Sequence, residues 1–246
     1  MLGVQLYSVR EAMAGGADRV LGRLAEIGFS IVEPTFDLLG GDPVGFARLL
    51  DSHGLTACSL HAPVLGPRRE AAAEAAHAIG AHTVVVPGIS APDFADPATV
   101  ARNAEKLAEV GAWLAARGLR LAYHNHHWEL AQRPAGEHAL QLLASLLPPE
   151  VDLEVDLYWA HVGGADVPSL LRVLGDRVRL LHVKDGPSTV DDSMTAVGAG
   201  VLPIREILAA APPQAQRIVE LDRCAGDMFE ALADSYTYLR SLGGQA

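Results

Sequence analysis

The sequence predicts an α/β protein that folds as a single (β/α)8 TIM barrel. Short apolar segments rich in β-branched residues alternate with Ala- and Leu-rich segments of helical periodicity, from one end of the chain to the other. The length of 246 residues matches the roughly 250 that such a barrel uses as one unit. No linker or shift in composition divides the chain, so residues 1–246 are predicted to form one domain.

The predicted elements follow that alternation in order. Eight strands are assigned to Leu2–Tyr7, Ser30–Thr35, Thr56–His61, Thr83–Pro87, Arg120–His126, Asp152–Asp156, Val178–Lys184 and Arg217–Asp222. Eight helices are expected near residues 16–28, 43–53, 68–80, 97–117, 136–147, 167–175, 203–211 and 226–242. Asp96-Pro97 and Asp166 are typical helix starts, and Gly118 and Gly175 are typical helix ends.

The strand and helix order favours a closed barrel over an open sheet. Parallel strands need crossover connections, and eight parallel strands can close into a ring. An open dinucleotide-binding sheet has a Gly-x-Gly-x-x-Gly turn after its first strand. This chain has only the isolated pairs Gly15-Gly16 and Gly163-Gly164, and neither forms that turn.

The composition excludes several classes of protein. Half of the residues are hydrophobic and only 20% are charged, which excludes a disordered polyelectrolyte. The net charge of −11 repels phosphate backbones and anionic membranes, so neither nucleic acid nor a membrane is an expected partner. No run reaches the roughly 18 apolar residues of a spanning helix. Cys58 and Cys224 fit no short-spaced metal motif, and we expect reduced thiols and a cytoplasmic location.

Ionisable residues concentrate where the active site of such a barrel lies, at the carboxyl ends of the strands. Six of the ten histidines fall there: His61, His124, His126, His127, His161 and His182. Because side chains alternate along a strand, one set points into the barrel. That inward set comprises Ser59, His61, Ala122, His124, His126, Asp152, Glu154, Asp156, His182, Lys184, Glu220 and Asp222. Asp152 and Glu154 lie nearer the strand start, and we expect them to be structural.

Such a concentration of buried charge predicts a metal ion. Desolvating each charge without compensation would cost several kcal/mol, and a divalent cation is the simplest compensator. Asp156, His182 and Glu220 form a mixed oxygen and nitrogen set suited to Mn²⁺, Co²⁺, Mg²⁺ or Zn²⁺. Glu129 is a candidate fourth ligand if the chain folds back, and His124 is the alternative by strand parity.

Several segments resemble the xylose-isomerase-like TIM-barrel superfamily, in its sugar phosphate isomerase/epimerase branch. They are Gly3–Ser8, Ser59–Pro63, Tyr123–Glu129, Asp156–Asp166, Leu181–Asp185, Val197–Gly200 and Ile218–Asp222. The resemblance covers almost the whole chain and is specific to the superfamily, but not to a substrate. Two places depart from its commonest pattern. Many relatives end the fifth strand with a ligating Glu, whereas this chain has the run Tyr123–His126 with Glu129 as its nearest acid, and Trp159 stands where many relatives have His.

The resemblance implies a metal-dependent enzyme that moves a proton next to a carbonyl through an enediolate. The implied metal ligands are Asp156, His182 and Glu220 with one group from the fifth strand. The implied catalytic residues are Glu220 as one base and Glu129 or His126 as the other. The implied substrate-binding residues are Gln5, Glu33, His61, His124, His161 and Lys184.

The resemblance also implies a small sugar or polyol as substrate, and a homo-oligomer is possible because relatives are often dimers or tetramers. Two alternatives stay open: an inosose-dehydratase-like lyase, and a barrel that binds sugar without turnover. An endonuclease fits the barrel but fits poorly with the charge of −11.

Overall fold

The computed structural model describes residues 1–243 and confirms the predicted barrel. Its strands are β1 (Leu2–Gln5), β2 (Ile31–Glu33), β3 (Thr56–Ala57), β4 (Leu60–His61), β5 (Thr83–Val86), β6 (Arg120–His124), β7 (Val151–Asp156), β8 (Val178–Val183) and β9 (Gln216–Val219). All neighbouring strands in this sheet run parallel. The carboxyl ends of the strands therefore meet at one face of the ring.

The predicted third strand is divided into two short segments. β3 pairs with β2, and β4 pairs with β5. The two segments of the third strand therefore pair with the strands on its two different sides. The Cys58 N–H donates to the Val32 carbonyl at 3.0 Å and the His61 N–H to the Pro34 carbonyl at 3.0 Å. These bonds continue the backbone pairing across the gap between β3 and β4. The eight predicted strands therefore appear as nine segments.

The helices surround this ring and include all eight that the sequence predicts. They are α1 (Arg10–Met13), α2 (Ala17–Ile27), α3 (Pro43–Ser52), α4 (Arg69–Ala78), α5 (Pro97–Ala115), α6 (Trp128–Ala131), α7 (Ala139–Leu146), α8 (Leu157–Val162), α9 (Val167–Leu174), α10 (Ile204–Ala210) and α11 (Met228–Gly243). Short α1, α6 and α8 are additions to the prediction. Within residues 1–243, no helix has the length and apolar character needed to cross a membrane.

The predicted helix starts are capped as their residue types require. Asp96 accepts a hydrogen bond from the Thr99 N–H at 3.0 Å, and Asp166 accepts one from the Ser169 N–H at 3.3 Å. Both caps satisfy backbone donors that the first turn of a helix leaves without partners.

The interior of the barrel is layered. A small apolar cluster of Val85, Ala122, Leu180 and Ile218 fills the middle of the ring. Two residues further along the same strands, the inward side chains become polar: His124 follows Ala122, and His182 follows Leu180. This change from apolar to polar places His124 and His182 on the cavity side of an apolar layer.

The loop after β8 is fastened to the barrel by one buried carboxylate. Asp185 has no exposed surface, and it accepts hydrogen bonds from the N–H groups of Gly186, Gly198 and Leu202 at 2.9, 2.9 and 3.1 Å. Gly198 has a φ of 91°, and a Cβ at Gly200 would collide with the Asp185 carboxylate. The two glycines of the Val197–Gly200 segment therefore permit this close approach.

We predict that Asp185→Ala lowers the free energy of unfolding by roughly 3 kcal/mol, because three N–H groups, two of them in buried residues, lose a charged acceptor. Urea denaturation followed by circular dichroism measures the change. Asp191→Ala, an exposed acidic residue of the same loop, is the matched control and should stay within about 0.5 kcal/mol of the wild type. Equal effects of the two substitutions would show that Asp185 does not fasten the loop.

Candidate functional site

A cavity of about 520 Å³ opens at the carboxyl ends of the strands. The side chains that line it are Tyr7, Thr35, Phe36, Asp37, His61, Ala62, Pro63, Arg68, Pro87, His124, His126, Trp159, Lys184, Glu220, Asp222 and Arg223. The volume suits a small organic molecule. Phe36, Arg68 and Arg223 lie in loops beyond the strand ends, and strand parity gave no signal for them.

The structure brings Asp156, His182 and Glu220 together below this cavity. Each offers a ligand atom within 4.8 Å of the others, and all three side chains are buried. Asp156 and His182 are register partners at the ends of β7 and β8. Their Oδ2 and Nδ1 atoms are buried and make ionic contacts but no hydrogen bond. Two carboxylates and an imidazole, with two buried donor atoms that lack a hydrogen bond, fit a divalent metal ion.

Lys184 compensates the negative charge of the same group. Its buried Nζ lies 2.9 Å from Asp156 Oδ2, 2.6 Å from Glu220 Oε2 and 3.0 Å from Asp222 Oδ1. Burial alone would lower the pKa of Lys184, but these three carboxylates raise it well above its usual value. Burial would likewise raise the pKa of Glu220, but Lys184 and His182 hold it far below its usual range. Glu220 is therefore ionised at neutral pH.

Asp156 has the opposite balance. Burial raises its pKa to about 6, and the nearby Lys184 and His182 only partly oppose that shift. A positive ion that binds Asp156 would compete with a proton for this carboxylate. At neutral pH that competition is weak, because the pKa lies below 7.

Glu129, the predicted fourth ligand, lies apart from this group. Its Oε1 accepts a hydrogen bond from the Tyr123 hydroxyl at 2.6 Å, and its Oε2 accepts one from the His126 N–H at 2.9 Å. The side chain has no exposed surface, and burial raises its pKa to about 7. Both oxygens are thus hydrogen-bonded to the chain around β6, and Glu129 is not among the residues whose ligand atoms lie within 4.8 Å of Asp156, His182 and Glu220.

His124 takes the position that parity allowed for the fourth ligand. Its Nε2 lies 3.9 Å from Asp156 Oδ2, and its ring centroid lies 4.6 Å from that of His182. Burial and the charge of His182 lower the pKa of His124 well below its usual value. A neutral imidazole is the form of histidine that binds metal ions.

A second polar group lies deeper, and it contains several residues that were expected to bind substrate. Gln5 and Glu33 have no exposed surface and do not line the cavity. Gln5 Nε2 donates to Glu33 Oε2 at 2.9 Å, so these two side chains bind each other and not the cavity contents. His61 reaches the cavity with one edge and is 8% exposed.

Glu154, predicted from the sequence to be structural, belongs to this deeper group. Its Oε2 lies 2.6 Å from His61 Nε2 and 3.2 Å from His124 Nδ1. With His182, these residues form a second group whose ligand atoms lie within 4.8 Å of one another. Strand parity directed Glu154 inward, but it does not report the depth at which a side chain meets its neighbours.

The deeper group shares its charge between two carboxylates and two imidazoles. Burial raises the pKa of Glu154 to about 7, and the charge of Glu33 adds to the shift. Burial would also raise the pKa of Glu33, but His61 and His182 hold it well below its usual value. Burial would lower the pKa of His61, yet Glu33 and Glu154 raise it to about 10.

His126 lines the cavity with a ring that is held from two sides. It stacks on Trp128 with centroids 4.3 Å apart and planes 5° apart, and Trp128 Nε1 donates to the Ile89 carbonyl at 3.0 Å. Gly88 lies against the ring with a φ of 154°, and a Cβ there would come within 2.9 Å of it. The stacking and Gly88 therefore fix the orientation of the ring. Its buried Nδ1 makes no hydrogen bond within the protein.

The remaining predicted contacts divide between the cavity wall and the surface. Lys184 and Trp159 line the cavity. His161 lies in the last turn of α8, partly exposed, and the cavity lining does not include it. Trp159 occupies the position where a His was expected in many relatives, and Lys184 Nζ lies 5.7 Å from the centroid of its ring.

The sequence matches a known family over most of its length. Residues 21–213 match the family described as xylose isomerase-like TIM barrel. The chain belongs to this family. The match is consistent with a barrel whose polar residues gather at the carboxyl ends of its strands, and it confirms the resemblance seen in the sequence. No curated protein sequence matches the chain at a significant level.

Solved structures show the same fold at low sequence identity. A sugar phosphate isomerase/epimerase from Parabacteroides distasonis ATCC 8503 has a TM-score of 0.82 and 21% identity, covering 98% of this chain and 93% of that one. An L-ribulose 3-epimerase has a TM-score of 0.72 and 14% identity over 98% and 93%. The IOLI protein with a bound zinc atom has a TM-score of 0.70 and 15% identity over 98% and 97%.

We predict that His126 titrates near pH 4, because burial and the charge of Lys184 lower its pKa from 6.5 to about 4. Histidine NMR signals recorded from pH 3.5 to 8 measure the midpoint. Folding favours the neutral ring, so this contribution to stability is present above pH 6.5 and is lost as the pH falls towards 4. A midpoint at pH 6 or above would contradict the buried, uncharged environment described for this ring.

Proposed function

We propose that the protein is a divalent-metal-dependent isomerase or epimerase of a small sugar or sugar phosphate. The observation that carries this proposal is the convergence of the ligand atoms of Asp156, His182 and Glu220 within 4.8 Å of one another, next to an open cavity. The names of two structural neighbours, a sugar phosphate isomerase/epimerase and an L-ribulose 3-epimerase, support the substrate class. The proposed setting is the cytoplasm, with no nucleic acid as partner.

The residues that would hold the ion are Asp156, His182, Glu220 and His124. Their oxygen and nitrogen donors suit Mn²⁺, Co²⁺, Mg²⁺ or Zn²⁺, and the zinc in the IOLI neighbour supports this class of ion. When bound, the ion supplies Lewis-acid stabilisation of negative charge on the substrate oxygens. Glu129 is replaced by His124 in this ligand set because both of its oxygens are already bound.

Glu220 is the proposed base. It lines the cavity, and Lys184 and His182 keep it ionised, so it can accept a proton from the carbon next to a carbonyl. Lys184 lies 2.6 Å from the same carboxylate and orients it. His126 is the proposed second group, because its ring lines the cavity and would hydrogen-bond a substrate hydroxyl or return the proton. Return of the proton to the neighbouring carbon gives an isomer. Return to the opposite face of the carbon that lost the proton gives an epimer.

A lyase of the inosose dehydratase type is the second candidate. It begins with the same proton removal, after which a hydroxyl on the adjacent carbon leaves with a proton as water. Lys184 favours this alternative, because its buried ammonium lies beside the base and would supply that proton. A structural neighbour described as a probable 3-DHS dehydratase from Bacillus anthracis has a TM-score of 0.76 and 13% identity over 97% of this chain and 98% of that one.

We predict that the metal-loaded protein, incubated in D₂O with a panel of keto sugars and inososes, places deuterium on one carbon of its substrate. Mass spectrometry and NMR locate the label. Loss of 18 mass units would identify the lyase, and sugar binding without exchange would identify a binding protein. Glu220→Gln should lower the exchange rate by about 10²- to 10⁴-fold, the contribution of a well-placed base.

We predict that Asp156→Ala and His124→Ala weaken Mn²⁺ binding by more than about 100-fold, because a direct ligand contributes more than the 10- to 100-fold of an outer partner. Isothermal titration calorimetry measures the affinity. Glu129→Gln is the control and should bind Mn²⁺ as the wild type does. A larger loss in Glu129→Gln than in His124→Ala would restore Glu129 as the fourth ligand.

A further inference from the structure

Glu33 is a buried carboxylate that the proposed reaction leaves without a task. It ends β2, has no exposed surface and does not line the cavity, so it does not touch the substrate. A carboxylate in the interior is costly unless its hydrogen bonds are made. The side chains that make those bonds therefore indicate what Glu33 does.

One of these bonds joins Glu33 to His182. His182 Nε2 donates to Glu33 Oε2 at 2.6 Å, while His182 Nδ1 lies 2.7 Å from Glu220 Oε2 on the other side of the ring. An imidazole whose Nε2 proton is committed to one carboxylate presents Nδ1 on its opposite edge. Glu33 thus determines which nitrogen of His182 faces Asp156 and Glu220.

Glu33 is itself held by two other strands of the ring. Gln5, at the end of β1, donates to Oε2 at 2.9 Å. Ser59, in the gap between β3 and β4, donates its hydroxyl proton to Oε1. The division of the third strand therefore falls at the residue that fixes the second oxygen of Glu33, and the carboxylate has little freedom to turn.

We propose that Glu33 is a positioning residue that fixes His182 with its proton on Nε2 and its Nδ1 directed at the metal. The inference rests on the proposed function, because it concerns the nitrogen that His182 offers to the ion. Carboxylates that accept the outer N–H of a metal-binding histidine orient the ring and raise its basicity. Gln5 and Ser59 act one step further out, by holding Glu33.

The first test measures Mn²⁺ affinity of the full chain by isothermal titration calorimetry. Glu33→Gln keeps the size of the side chain but weakens its acceptor, and it should lower the affinity by about 10- to 100-fold. Ser59→Ala should lower it by a smaller factor. Asp152→Asn is the matched control, because Asp152 is also a buried carboxylate but lies at the start of β7, where it binds Arg120 away from the metal ligands. Wild-type affinity in folded Glu33→Gln would overturn the inference.

The second test uses the wild type alone and does not depend on how any variant folds. Long-range ¹H–¹⁵N NMR of the Zn²⁺-loaded protein, labelled at histidine, reports which ring nitrogen of His182 carries the proton. We expect the proton on Nε2 and the metal on Nδ1. The reverse arrangement would overturn the positioning role while leaving the proposed function intact, whereas a wild type that binds neither Mn²⁺ nor Zn²⁺ would overturn both.

Discussion

The burial of several carboxylates inside a closed ring of strands is the constraint on which the rest of this structure depends. The carboxylates of Glu33, Glu154, Asp156 and Glu220 are at most 5% exposed. In an interior of low dielectric, each would cost several kcal/mol without a partner. The ring supplies partners at two depths: Lys184 near the cavity, and His61 and His182 below it. The histidines of this chain are thus part of its stability as well as its chemistry.

The layering of the interior follows from that constraint. The apolar cluster around Leu180 and Ile218 closes the ring from below and keeps water from the polar layer. Without competing water, hydrogen bonds and ion pairs in that layer are stronger, and ordering its side chains costs less during a reaction. Two inward side chains that are two residues apart on one strand belong to different layers, as Leu180 and His182 do on β8. The alternation of inward and outward side chains along a strand therefore specifies both the apolar core and the polar site.

That alternation explains how much of the site could be predicted from the sequence. Parity and strand ends alone place Asp156, His182 and Glu220 in one group, because both depend only on local chain geometry. The path of the chain beyond a strand end is not local, and the sequence does not reveal that Glu129 hydrogen-bonds Tyr123. Depth is not local either, and the sequence does not reveal that Glu33 is fully buried outside the cavity lining.

His124 changes the charge balance of the proposed metal site. With Asp156 and Glu220 as its charged ligands, a divalent ion would contact two negative charges that Lys184 also contacts, whereas Glu129 as fourth ligand would add a third. The smaller negative charge would keep the ion a stronger Lewis acid towards substrate oxygens.

The same replacement removes a carboxylate that could act as a second base. His126, with a pKa of about 4, is a weak base at neutral pH. Proton removal and return through Glu220 on one face of the substrate therefore fits this site better than transfer between two strong bases. Within the proposed function, a single strong base favours isomerisation or elimination over epimerisation.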